Sequence, residues 1–186
     1  MGDPIEREIK LRFESPAAAR AAVRATGAAA RRARRLQDDR LLDWPDGRLR
    51  DRRCTLRVRD QSGAAVLTFK GPPQPDAMKV REELETTAGD AALLLRLLER
   101  LGLQVWFRYQ KYREEYALGD VVLTVDETPI GTFVELEGGE RGITEIAAAL
   151  GRTADDYVAA SYHALFLSAA PGGAQGRTDM VFDSRP

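Results

Sequence analysis

One pattern constrains this chain more than any other: apolar and ionic residues alternate with a period of two, stretch after stretch. In IEREIKLRF, residues 5–13, Glu6, Glu8, Lys10 and Arg12 share one face and Ile5, Ile9, Leu11 and Phe13 the other. A period of two is the period of a β-strand, whose side chains point alternately to opposite sides. The pattern recurs six times. Arg57 and Arg59 oppose Leu56 and Val58 in TLRVRD, and Thr68 and Lys70 oppose Leu67 and Phe69 in VLTFKG. Arg81, Glu83 and Glu85 oppose Val80 and Leu84 in VREELE. Lys111, Arg113 and Glu115 oppose Tyr112 and Tyr116 in QKYREEY. Thr124 and Asp126 oppose Leu123 and Val125 in VLTVDE, and Glu135 and Glu137 oppose Val134 and Leu136 in FVELEG.

A single strand of this kind reads as half-buried, with salt-bridge ladders on a solvated face. As a series the polar faces are unusual in kind, being almost wholly ionic and nearly free of Ser, Asn and Gln. Two arrangements accommodate them. The ionic faces point to solvent on an open sheet, or they point into a closed barrel whose apolar exterior is covered by helices. In a barrel interior, charge is costly unless it is paired or binds something. Many cations beside many carboxylates suit a polyphosphate with a divalent metal. Guanidinium and ammonium groups hold phosphate oxygens, and carboxylates hold Mg²⁺ or Mn²⁺.

Between the strands lie helical stretches. SPAAARAAVRATGAAARRARR reads as one helix, with Ser15 as N-cap and Pro16 at its first position. Its arginines read as a solvated helix face rather than an RNA contact. LQDDRLLDWPDGRLRDRRC follows as a strand and a Pro45-Asp46-Gly47 turn. Gln61, Ser62 and Gly63 join two strands as a hairpin, and GPPQPDAM is a loop. AGDAALLLRLLERLG is an amphipathic helix ended by Gly102. Turns at Gly119-Asp120 and at 129–131 separate the three strands of 105–138. ITEIAAALG and TADDYVAASYHALFL read as helices capped by Thr144 and Thr153. The order of elements predicts an α+β fold with a mostly antiparallel sheet and helices packed outside.

Composition removes several classes of function. The chain has 186 residues, enough for one domain or two small ones. Its formal net charge is -1, so no global basic field attracts nucleic acid, and anion binding must come from local clustering. Cys54 is the only cysteine and His163 the only histidine. That excludes an internal disulfide and the Cys/His zinc motifs. No apolar run reaches the ~20 residues that span a membrane, and the acidic start does not read as a signal peptide. The expectation is a cytoplasmic protein in a reducing compartment, with no nucleic-acid or membrane partner.

Glu6, Glu8 and Lys10 in EREIK match the ExExK signature of the CYTH superfamily, the triphosphate tunnel metalloenzymes. LRVR, LTFKG, REELE, KYREEY and VDETPIGTFVELEG follow in the order that superfamily shows, and SYHALF resembles its closing helix. The chain thus resembles this group over nearly all of residues 4–167. It is most similar to the compact bacterial and archaeal members labelled class IV adenylate cyclase. The resemblance implies a closed antiparallel barrel of about eight strands, with residues 1–168 as one domain and 169–186 as a disordered tail. It implies Mg²⁺ or Mn²⁺ ligands at Glu6, Glu8, Asp126, Glu135 and Glu137. It implies phosphate contacts from Lys10, Arg57, Arg59, Lys70, Arg81, Lys111 and Arg113, with Glu83 and Glu85 supporting these cations. A homodimer is compatible with it.

One position departs from the family. Members often carry a tyrosine in the strand after the first helix, where this chain has Leu41. No general base is assigned, and a metal is expected to activate the attacking water. The expected activity is metal-dependent hydrolysis of inorganic triphosphate or of an organic triphosphate such as thiamine triphosphate. The alternative is an adenylate cyclase making cyclic AMP and pyrophosphate from ATP. Thiamine triphosphate needs an aromatic contact, for which Trp44, Trp106 and Tyr109 are the candidates, and nothing in the sequence reads as a nucleotide-base pocket.

Overall fold

The computed structural model describes residues 5–61, 64–169 and 178–183. Eight strands form one closed barrel: β1 (Ile5–Phe13), β2 (Ala29–Asp43), β3 (Thr55–Gln61), β4 (Ala64–Lys70), β5 (Lys79–Ala88), β6 (Gln104–Leu118), β7 (Val121–Thr128) and β8 (Gly131–Glu137). Around the barrel they run β1-β5-β4-β3-β2-β6-β7-β8, and every neighbouring pair is antiparallel. The first strand closes the ring. Its front half pairs with β5, as Glu6 with Arg81, and its back half with β8, as Lys10 with Glu135.

Of the two arrangements that the alternation permits, the closed barrel is the one observed. The apolar faces point outward and are covered by helices α1 (Pro16–Ala25), α3 (Ala91–Arg100) and α4 (Glu140–Ala149). Ile9, Leu11, Val80, Leu123, Val125, Val134 and Leu136 pack with Ala19 and Val23 of α1 and Ile143, Ile146 and Ala147 of α4 in one buried cluster. Leu42, Val58, Ala65 and Leu103 form another beneath Leu94, Leu95 and Leu98 of α3. Burial of these faces, at roughly 25 cal/mol per Å² of apolar surface, favours turning the ionic faces inward.

Several boundaries differ from the sequence reading. The helix expected through Arg35 stops after α1, where Gly27 takes a left-handed φ of +83°. The stretch that follows is β2, the partner of β6 over most of its length. Ala and Arg favour helix in isolation, but this pairing overrides the local preference. The short helix α2 (Arg48–Asp51) follows the Pro45 turn. Thr144 is not a cap: α4 begins after Gly139, and the Thr144 hydroxyl donates to Glu140 O. Thr153 caps only a 3₁₀ turn, through a capping box with Asp156. The last helix, α5 (Tyr162–Ala169), starts later than expected.

The turn residues Ser62 and Gly63, residues 1–4, and 170–177 and 184–186 of the expected disordered tail lie outside the described residues. Residues 178–183 are described and pack against the barrel. Met180 is fully buried against Phe107 and Tyr109. Its backbone N–H donates to Arg108 O, and its carbonyl accepts from Gln110 N–H. It thereby pairs with part of β6 that β7 does not reach. Among the described residues no helix is long and apolar enough to cross a membrane.

Candidate active site

The barrel encloses a cavity of about 840 Å³. Thirteen of the fourteen residues named from the sequence line it: Glu6, Glu8, Lys10, Arg57, Arg59, Lys70, Arg81, Glu83, Glu85, Lys111, Arg113, Glu135 and Glu137. They arrive there because alternate positions on six strands face inward. Asp126 does not line the cavity. It is fully buried behind the wall and accepts hydrogen bonds from Lys111 Nζ (2.7 Å), Arg113 Nε (2.7 Å) and the Tyr162 hydroxyl (2.8 Å).

The wall is a lattice of ion pairs, as charges taken out of water require. Lys70 Nζ donates to both oxygens of Glu6 (2.7 and 2.9 Å) and lies 2.8 Å from Glu83 Oε2. Arg81 Nε also reaches Glu6 (3.2 Å). Lys79 Nζ donates to Glu8 (2.6 Å), and Arg113 to Glu135. Lys10 lies 3.5 Å from Glu135. Arg59 Nε donates to Asp39 (2.8 Å), Arg57 to the Thr68 hydroxyl (3.0 Å), and that hydroxyl to Glu85 (3.1 Å).

Sequence reasoning missed Lys79, Asp39 and Tyr162, while Tyr109, named as a candidate aromatic contact, does line the cavity. Lys79 shares the parity of Arg81 and Glu83, and Asp39 that of Leu41, so the alternation already held both. Nothing local marks Tyr162, which α5 delivers from the far end of the chain. Its ring receives the ammonium groups of Lys10 and Lys111, 4.4 and 5.0 Å from its centroid. Leu41 is on the cavity wall, so the family's tyrosine position is apolar here. Tyr109, on the neighbouring strand, brings a phenol to the wall beside Arg57 instead.

The electrostatics divide the glutamates. Burial alone would raise Glu8, but the ammonium of Lys79, aided by Lys70 and Lys10, holds its carboxyl below the usual range. Glu135, likewise buried, is held well below that range by Lys111 and Arg113. Glu6 is pushed up by burial and then by Glu8. Glu137 is pushed up to about 7 by burial, then by Glu6. Solvent reaches the Glu137 side chain and screens part of that repulsion. Burial and the neighbouring Arg113 push Lys111 down to about 8.

These glutamates fit a hard divalent cation in donor chemistry, since all are carboxylate oxygens. The Lys70 ammonium already plays the part of a cation between the carboxylates of Glu6 and Glu83. Glu6 and Glu137, the two carboxyls pushed up, mark where negative charge is under-compensated. Among the described residues no three such groups stand ready as a cage. A metal would instead draw oxygens away from the lysines that hold them.

The CYTH domain family model matches residues 4–156, and the chain belongs to that family. One curated relative is named "Putative adenylate cyclase MJ0240", from Methanocaldococcus jannaschii. It is 30% identical over 113 residues, 60% of this chain and 65% of the relative. This chain thus spans just under two thirds of that relative's length. The PH1819 protein of Pyrococcus horikoshii OT3 has a TM-score of 0.73 and 27% identity, over 88% of this chain and 98% of its own. The fold is shared with a Hippeastrum protein named "Putative adenylyl cyclase HpAC1", of which a dominant triphosphatase activity is stated. That match has a TM-score of 0.64 and 22% identity over 88% of this chain and 95% of the other.

Proposed function

We propose that this protein is a divalent-metal-dependent hydrolase of triphosphate-bearing substrates held inside the barrel. One observation carries the reading. Ten lysines and arginines line the cavity against six glutamates, although the whole chain has a formal net charge of -1. With Asp39 and Asp126 buried against Arg59, Lys111 and Arg113, the wall still keeps a surplus of two positive charges, and it asks for a compact polyanion.

In this reading Lys10, Arg57, Arg59, Lys70, Arg81, Lys111 and Arg113 take the phosphate oxygens. Glu83 and Glu85, on β5, hold Lys70 of β4 and Arg57 of β3 in place. Because these cations are already fixed by carboxylates, they need little reorganisation as charge builds on the transferring phosphoryl group. Water attacks the terminal phosphorus, the bond to the bridging oxygen breaks, and the diphosphate leaves with that oxygen. Glu6, Glu8, Glu135 and Glu137 would hold Mg²⁺ or Mn²⁺. A bound cation would neutralise phosphate charge and lower the pKa of a water beside it. Asp126 supports from behind, by orienting Lys111 and Arg113.

A second reading is an adenylate cyclase, favoured by the name of the Methanocaldococcus relative. The Hippeastrum protein illustrates that such a name and a dominant triphosphatase activity occur together on this fold. The two differ in the attacking oxygen: water at the terminal phosphate, or the ribose 3′-hydroxyl at the α-phosphate. A product assay separates them. With Mg²⁺ or Mn²⁺, the protein is given inorganic triphosphate, thiamine triphosphate and ATP, and phosphate, pyrophosphate and cyclic AMP are resolved. Phosphate without cyclic AMP, abolished by EDTA, is expected. Cyclic AMP with matching pyrophosphate would make it a cyclase, and turnover that survives EDTA would remove the metal.

A further inference from the structure

The cavity wall carries a second kind of surface that the phosphate lattice does not use. Trp106, His163, Arg50 and Arg53 all line it. Trp106 and His163 meet edge to face, centroids 4.8 Å apart at 84°, and His163 meets Phe107 in the same way at 4.8 Å and 69°. The Arg50 guanidinium lies over the Trp106 ring, 4.7 Å from its centroid. It is anchored there by Asp43, whose buried carboxylate accepts from Arg50 Nε at 3.1 Å. Trp44, the other tryptophan, is elsewhere, packed against the cluster beneath α3.

Arg53, with a φ of +55°, closes α2 as a left-handed cap: Cys54 N–H donates to Leu49 O and Arg53 N–H to Arg50 O. One further observation marks this corner as open to a ligand. His163 is half-buried, yet among the described residues neither ring nitrogen has a hydrogen-bond partner. Burial, then Arg50, lowers its pKa, so at neutral pH the imidazole is uncharged and offers one donor and one acceptor.

We infer that Trp106, His163 and Arg50 form the subsite for the organic half of the substrate, and that this half is an uncharged heteroaromatic base. The inference rests on the reading that the cavity takes a triphosphate, and it names the class: a nucleoside triphosphate rather than inorganic triphosphate. Flat aromatic and guanidinium surfaces stack with any base, and the free imidazole nitrogens can hydrogen-bond its edge. Arg50 and Arg53 are both cations, so thiamine's positively charged thiazolium is disfavoured relative to a purine or pyrimidine.

The test reads binding apart from turnover. In a Trp44→Phe chain the remaining indole is Trp106, and its fluorescence is followed as ATP, thiamine triphosphate or inorganic triphosphate is added. Quenching by ATP, weaker quenching by thiamine triphosphate and none by inorganic triphosphate is expected. Arg50→Met and Trp106→Leu should each lower the preference for ATP over inorganic triphosphate about tenfold, the effect of losing one stacking partner. Arg50 is exposed, so its replacement leaves a test if the Trp106 variant fails to fold. ATP quenching without any hydrolysis would uphold the subsite while overturning the hydrolase reading. Hydrolysis of inorganic triphosphate with no ATP quenching would overturn the subsite alone. Equal quenching by thiamine triphosphate would overturn the preference for an uncharged base.

Discussion

Asp126 and Glu137 are both inward-facing carboxylates on neighbouring strands, and they should respond oppositely to the same chemical change. Asp126 is fully buried and accepts from two cations and a phenol. Asp126→Asn leaves Lys111 and Arg113 short of a counter-charge in a dry place, which costs about 3–5 kcal/mol. Glu137 sits among Glu6, Glu83 and Glu8, and its carboxyl is pushed up by them as well as by burial. Glu137→Gln relieves that repulsion, so stability in metal-free buffer should match wild type or exceed it, while Mg²⁺ affinity falls. Urea midpoints and a Mg²⁺ titration measure both halves. Parity in the sequence brought both residues to the inner face, but parity carries no depth. That is why Asp126 was expected among the metal ligands although it sits behind the cavity wall. Only the three-dimensional position of Tyr162, thirty-six residues away in sequence, shows it.

At the scale of elements, the strands with strict alternation were legible and the mixed stretch after α1 was not. Residues 28–35 combine alanines and arginines without a period of two, so local preference pointed to helix. The stop signal lay in Gly27. A Cβ at Gly27 would meet nothing within 4 Å, so any cost of replacing it is backbone strain alone. Gly27→Ala should therefore destabilise by about 1 kcal/mol, read as a shift in urea midpoint with an unchanged slope. Loss of much more would mean that α1 and β2 shift together. The packing of 178–183 along β6 could not be read either. A gap in a strand's pairing is a property of the assembled sheet, and the segment that fills it carries no period of its own.

For the whole molecule, the ionic interior ties stability to acidity. Glu8, Asp39, Glu83 and Glu135 are held below their ordinary values, each against the effect of burial, by the cations facing them. Their unfolded values lie near 4, so the unfolded chain gains protons first as pH falls. The stability they contribute is whole above that range and is lost as pH falls through their folded values. Glu6 and Glu137, pushed up, contribute in the opposite sense: their share is present at low pH and fades as pH rises through their folded values. With four groups against two, the melting temperature should drop steeply below about pH 4, measured by calorimetry from pH 7 to 3. A flat profile would mean that the unfolded chain keeps these pairs.

The closure of the barrel by β1 also sets an order in time. Glu6 and Glu8 leave the ribosome before the rest of their domain. Their strand, however, pairs with 79–82 and with 132–137, and its interior charges have no counterparts until those segments exist. During synthesis the opening strand must wait, ionic face and apolar face both exposed, for almost the whole domain to follow. Contacts so distant along the chain fold slowly. The site therefore has no partly built form: the strand that begins it is also the last to be locked in.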